Sequence, residues 1–193
     1  MAAKDTQRDK IVRAAADLLR RRGYAATGLS DIIAASGAPK GSLYHYFPAG
    51  KDQIAAAALR YAGELLEKTL VDIAAKTDAA ADILRVYAAL LAGWMAQSGF
   101  RDGCPITTTV LETAPEKAEI AEAGRDAFAR WRAPLERRLV EQGVAPTRAL
   151  ALAQFAIMSL EGALVLARVE ASEAPILLAA EEAAALFERE AGR

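Results

Sequence analysis

Apolar residues in this chain recur three and four positions apart along almost its whole length and rarely alternate, so helices are the secondary structure open to it. Alanine is abundant and β-branched residues are sparse, which reinforces the same reading. Ile11, Ala14, Ala15, Leu18 and Leu19 form a first stripe, closed by Arg20, Arg21, Arg22 and Gly23. Ser30 is the expected cap of a short second helix that Gly37 ends, and Pro39 opens a short third one that stops at Pro48. A long helix is expected from about Lys51 to Lys76, and another from a cap at Asp78 to the Ser98-Gly99 break. After a short segment behind Pro105, Pro115 should open a helix that Pro134 kinks. Pro146 starts a helix with two apolar faces, and Ser172, Glu173 and Pro175 lead into the last one. The expected fold is all-α.

The 193 residues, 53% hydrophobic and 25% charged, suffice for a sizeable core and exclude intrinsic disorder. The longest uninterrupted apolar run, Val86 to Ala96, is too short to span a bilayer, so no membrane partner is expected. Met1 to Lys10 is charged and lacks the apolar stretch of a secretory signal, and Cys104 has no second cysteine to pair with. A reducing cytoplasm fits these features best. The net charge of −1 conceals a dipole: residues 1–51 carry nine Lys/Arg against four Asp/Glu, and the remainder fifteen against twenty-one. A basic head on an acidic body points one end of the molecule towards a polyanion.

The two short helices joined at Gly37 form a helix-turn-helix candidate. In its second helix Lys40 offers a phosphate contact, Gly41 a close backbone approach and Ser42 a small hydroxyl. Tyr44, His45 and Tyr46 add flat apolar surface with hydrogen-bonding tips. Leu43 and Phe47, four apart, are expected in the core, with one of the flanking tyrosines turned inward. Thr27 and Lys51 are placed to clamp the sugar-phosphate backbone on either side. Catalysis is disfavoured, because one histidine and one cysteine are too few for a zinc cluster and nothing marks a buried acid partner that would make His45 a catalytic base. No cofactor or metal is expected.

The central helices supply an expected pocket for a small apolar or aromatic effector, between the Lys51 helix and the helices carrying Trp94 and Trp131. Its lining would draw on Tyr61, Leu65, Trp94, Met95, Cys104, Ile106, Thr107, Phe128, Trp131, Phe155 and Met158, with Thr108 and Thr109 as further polar groups. Core packing is the competing role for each of these residues. A self-association surface is expected on the last two helices, through Phe155, Ser159, Gly162, Leu166, Ile176, Ala180 and Phe187.

The run Gly37-Ala38-Pro39-Lys40-Gly41-Ser42-Leu43-Tyr44-His45-Tyr46-Phe47, preceded by Gly23-Tyr24 and Thr27, resembles the DNA-binding domain of the TetR family of transcriptional regulators. The resemblance covers about Thr6 to Ala55. It implies a three-helix head, here residues 1–50 with its recognition unit at about 29–48, and a helical effector-binding and dimerisation domain, here residues 51–193. It also implies double-stranded operator DNA and a second copy of the chain as partners, the dimer being built mainly from the last two helices. Two departures stand out: Ala38-Pro39-Lys40 where Val-Ser-Lys is common, and a Pro48-Ala49-Gly50-Lys51 link one residue longer than usual. Together with Phe100 and Gly103-Cys104-Pro105, these resemble the branch typified by lincomycin-resistance regulators. The function so implied is a repressor released from a palindromic operator by a small molecule. The alternatives are a DNA-binding regulator controlled by a protein partner and, more remotely, a helical enzyme.

Overall fold

A computed structural model describes residues 6–192, so Lys4 and Asp5, counted in the charge of the head, lie outside the described residues. In chain order the helices are α1 (Gln7–Arg22), α2 (Leu29–Ser36), α3 (Lys40–Tyr46), α4 (Lys51–Ala74), α5 (Ala80–Gln97), α6 (Pro105–Thr113), α7 (Ala118–Glu141), α8 (Pro146–Glu170) and α9 (Ala174–Ala191). No strand occurs among the described residues. The all-α expectation holds.

Local chemistry explains most of the helix ends. Thr6 caps α1 through a reciprocal arrangement with Asp9, and Arg20, Arg21 and Arg22 occupy the last turn, where the helix dipole favours cations. Helix α2 is capped at Gly28 rather than at Ser30: the Gly28 N–H donates to Asp31 Oδ2 at 3.0 Å. Gly37 ends α2 in the left-handed conformation, with φ of 62°, a geometry that costs an L side chain strain but not glycine. Ala79, not Asp78, precedes α5, and α7 starts at Ala118 rather than at Pro115. Pro134 is buried inside an α7 that continues past it.

The chain divides into two compact units. One takes residues up to Glu64 together with Cys104–Ala127, and the other takes Leu65–Gly103 together with the chain from Phe128 on. The division falls inside α4 and α7. In the first unit α1 packs on α2, α3 and α6 around Ile11, Ala15, Leu19, Ile32, Leu43 and Phe47, all nearly inaccessible to solvent. In the second, α9 packs on α5 and α8 around Ile83, Leu84, Leu160, Ile176, Ala180 and Phe187. Arg85 on α5 fixes α9 further by pairing with Glu181 and Glu188 at 2.8 and 2.6 Å. Helix α8 is long and apolar enough to cross a membrane by length and composition alone. Its buried residues Leu152, Ala153, Ile157, Leu160 and Leu164 lie on one face, which is the pattern of a helix packed within a protein.

Candidate functional site

Helix α3 is anchored by two residues and displays the rest. Leu43 and Phe47 are buried, while Lys40, Gly41, Tyr44, His45 and Tyr46 are exposed and Ser42 is half-buried. Neither tyrosine turns inward, contrary to expectation: Tyr44 is 49% and Tyr46 38% exposed, because Leu43 and Phe47, the residue that follows the helix, already fill the inward side of this short element. The His45 and Tyr46 rings meet edge to face with centroids 4.9 Å apart. The turn before α3 is held by Ser36, whose hydroxyl donates to Ile33 O at 3.1 Å and accepts from Ala38 N–H at 3.2 Å. Ala38 is buried, which fixes the entry into α3.

The two flanking clamps differ from expectation to unequal degrees. Thr27 is fully buried, and its hydroxyl donates to Gly23 O at 2.7 Å, so it fastens its own loop and presents nothing to a phosphate. Lys51 is half-buried, with its ammonium 4.1 Å from the Tyr24 ring centroid. Burial is the main cause that pushes the Lys51 pKa down, with nearby Glu112 and Asp52 opposing it. Behind it Tyr24 donates its phenolic O–H to Asp52, and Lys117 pairs with the same carboxylate at 2.7 Å. These contacts hold the Asp52 pKa below the usual carboxylate value, Lys117 contributing most, and raise that of Lys117.

The expected effector residues are divided between the two units. In the first unit Tyr61 is half-buried, Ile106 is buried, and Cys104 is buried at the start of α6. Thr107 keeps a buried hydroxyl with no hydrogen-bond partner. Thr109 is fully buried and its hydroxyl donates to Pro105 O at 2.7 Å, and the Thr108 hydroxyl lies 2.8 Å from Cys104 O and 3.0 Å from Leu19 O. In the second unit Phe128 stacks on buried Trp131 at 6.3 Å, and Tyr87, which sequence reading missed, meets Trp131 edge to face at 5.9 Å. The Trp131 Nε1–H is buried without a partner. Met95 is buried, whereas Leu65, Trp94, Phe155 and Met158 are exposed and so do not line an interior cavity. A cleft of about 220 Å³ lies between the end of α4 and α7, lined by Val71, Ala74, Ala75, Pro134, Arg137, Arg138 and Glu141, none of them an expected effector contact.

The expected self-association residues separate into two groups. Phe155, Gly162 and Leu166 are exposed and Ser159 is half-buried on α8, but Ile176, Ala180 and Phe187 are buried within their own chain. Those three hold α9 in place, and the large apolar residues α9 exposes are Leu177 and Leu178. On α8 sequence reading passed over Val165 and Val169, although Phe155, Met158, Gly162, Val165 and Val169 follow a regular three-four repeat.

Residues 11–58 match the family described as bacterial regulatory proteins, tetR family, and residues 80–182 match the transcriptional regulator LmrA/YxaF-like C-terminal domain. The chain belongs to the TetR family of transcriptional regulators. The HTH-type transcriptional regulator Rv0196 of Mycobacterium tuberculosis is 37% identical, with 88% of each chain covered. The HTH-type transcriptional regulator YxaF of Bacillus subtilis is 31% identical over 94% of this chain and 95% of its own. A TetR transcriptional regulator from Legionella pneumophila shares the fold, with a TM-score of 0.80, 20% identity and 98% of each chain covered. The narrower resemblance to the lincomycin-resistance branch agrees with the LmrA/YxaF-like match of the C-terminal half.

Proposed function

We propose that this TetR-family regulator is a cytoplasmic, homodimeric repressor without enzymatic activity, that it reads a palindromic operator with α3, and that an apolar or aromatic small molecule releases it. The observation that carries the operator reading is the outward face of α3, where Lys40, Tyr44, His45 and Tyr46 stand clear of the buried Leu43 and Phe47. Lys40 neutralises phosphate, while the aromatic and imidazole tips meet base edges in the major groove. Lys51, held on the Tyr24 ring, supplies a second backbone contact.

A dimer sets two such helices about 34 Å apart, one turn of duplex. The exposed apolar repeat on α8, with Leu177 and Leu178 of α9, is the surface that supports self-association. For the effector, the support is the aromatic group Tyr87, Phe128 and Trp131, whose indole N–H lacks an acceptor. A planar ligand with one well-placed acceptor atom satisfies both the stacking and the orphaned donor. Helix α4, which contributes residues to both units, then carries the change to the head, provided the ligand prefers the arrangement that cannot bind DNA.

Selection of duplexes from a random library by the purified protein should return a palindromic consensus, and a library returned unselected overturns the operator reading. The chain has two tryptophans, so a Trp94→Phe variant leaves Trp131 as its only indole fluorophore. Planar aromatic carbonyl compounds that quench it should weaken operator binding over the same concentration range, since coupling between sites is reciprocal.

A further inference from the structure

The turn between α1 and α2 presents two successive backbone N–H groups, and both donate to one side chain. Tyr24 N–H donates to Glu112 Oε1 at 2.9 Å and Ala25 N–H to Glu112 Oε2 at 2.6 Å. Successive amides that point the same way form a small anion-binding concavity. Here the occupant is the chain's own carboxylate, delivered by α6 from 88 and 87 residues away. The fit constrains the sequence of the turn as well. A Cβ built on Gly23 would collide with Glu112 Oε1, and Gly23 has φ of 75°, so both the close approach and the backbone demand glycine.

We infer that Glu112 is a positioning residue for the DNA-reading head: its carboxylate holds the turn from which α2 and α3 are hung. Two further ties run from the same part of the chain to the same part of the head. The Thr108 hydroxyl lies 3.0 Å from Leu19 O in the last turn of α1, and Lys117 pairs with Asp52, which also receives the Tyr24 O–H. The inner side of the turn is closed by Thr27 on Gly23 O, and the outer side by Glu112. With both sides held, the angle at which α2 leaves α1 is set, and with it the direction in which α3 presents Tyr44 and His45. Opening the Glu112 contact frees that angle without removing any side chain that faces DNA.

This inference rests on the operator reading, and its sign distinguishes it from simple charge. Glu112 is an anion near a DNA-binding head, so its removal should by electrostatics alone strengthen binding to every duplex. Loss of positioning does the opposite, and only for the operator. The test uses the full-length protein, a duplex of about 30 base pairs recovered by random-library selection with the wild type, and a shuffled duplex of the same composition. Glu112→Ala should bind the selected duplex about tenfold more weakly and the shuffled one no more weakly than wild type. The Tyr24 and Ala25 amides should exchange at least about tenfold faster. Glu112→Gln, which keeps an acceptor oxygen, should fall between the two and covers the case in which the alanine variant does not fold. Unchanged preference for the selected duplex, equal weakening of both duplexes, or unchanged exchange at Tyr24 and Ala25 each overturns the inference. A wild type with no preference overturns the operator reading and this inference together, while faster exchange with normal operator preference overturns only this one.

Discussion

Helices α3 and α8 both expose large side chains, but of opposite kinds. On α3 the exposed set is Lys40, Tyr44, His45 and Tyr46, each with a charge or a hydrogen-bonding tip. On α8 the exposed apolar side chains Phe155, Met158, Val165, Leu166 and Val169 form the larger part of the open surface, with the charged side chains Arg148, Arg168 and Glu170 exposed towards the two ends of the helix. The first surface loses little in water and gains when phosphates and base edges arrive. The second is costly until another apolar surface covers it. The proposed operator face and the proposed dimer face therefore differ in the chemistry of their exposed atoms, hydrogen-bonding tips suiting a nucleic acid and hydrocarbon suiting a second copy of the chain.

The largest effect expected from breaking this contrast is on α8. A Cβ at Gly162 meets nothing within 4 Å in the single chain, so Gly162→Glu should fold normally. In a dimer packed on this face the carboxylate would be buried without a partner. Sedimentation should show a monomer, and operator affinity should drop by a factor of about 100 or more, because the second half-site is no longer tethered to the first. A dimeric Gly162→Glu protein would move the interface off α8. Leu177→Glu serves as a companion, since Leu177 is exposed on α9 whereas its neighbour Ile176 is not.

Smaller changes are expected on α3, and they sharpen the contrast within one helix. Lys40→Ala should weaken all duplexes alike and reduce the salt dependence by about one unit of slope. Tyr44→Ala or His45→Ala should relax sequence discrimination, by about 1 to 3 kcal/mol at the positions they read. Binding titrations against selected and shuffled duplexes at several salt concentrations separate these two behaviours. If Tyr44→Ala behaved like Lys40→Ala, the ring would be a backbone contact rather than a reader of bases.

The same contrast explains what the sequence made legible. The helix-turn-helix is a local object: turn chemistry at Gly37, anchors four apart at Leu43 and Phe47, and polar residues between them lie within a dozen positions. Helical periodicity likewise placed most elements to within a few residues, missing where a backbone contact outranks the usual cap, as at Gly28 with Asp31. Direction of burial was not legible where a helix is apolar all round. Spacing alone does not tell Ile176, which is buried, from Leu177, which is exposed, and it assigned Phe155 and Met158 to an interior they do not enter. Glu112 left no local signal, because its partners, Tyr24 and Ala25, lie in a different helix junction far along the chain. Thr27 was misjudged for a related reason: a hydroxyl near a nucleic-acid face serves equally well to close its own loop.

The smallest expected effect concerns the charges that support α3 rather than the face itself. Asp52 accepts from Tyr24 and pairs with Lys117, and these contacts hold its pKa below the ordinary value of 3.8. A depressed carboxylate pKa contributes stability that is complete above the unfolded value and is lost as pH falls through the folded one. Lys117, with its pKa raised, contributes below 10.5 and loses that contribution as pH rises through its higher folded value. Both groups lie in a surface pair, so screening by water and salt keeps the effect modest. Asp52→Asn should consequently lower the urea midpoint at pH 7, and the difference from wild type should shrink below about pH 4, where the wild-type carboxylate begins to lose its charge in the unfolded chain. Urea titrations of both proteins across that range provide the measurement. A difference that stayed constant with pH would assign the loss to the Tyr24 hydrogen bond and packing, and would leave the Asp52–Lys117 charge pair without a share in holding the head together.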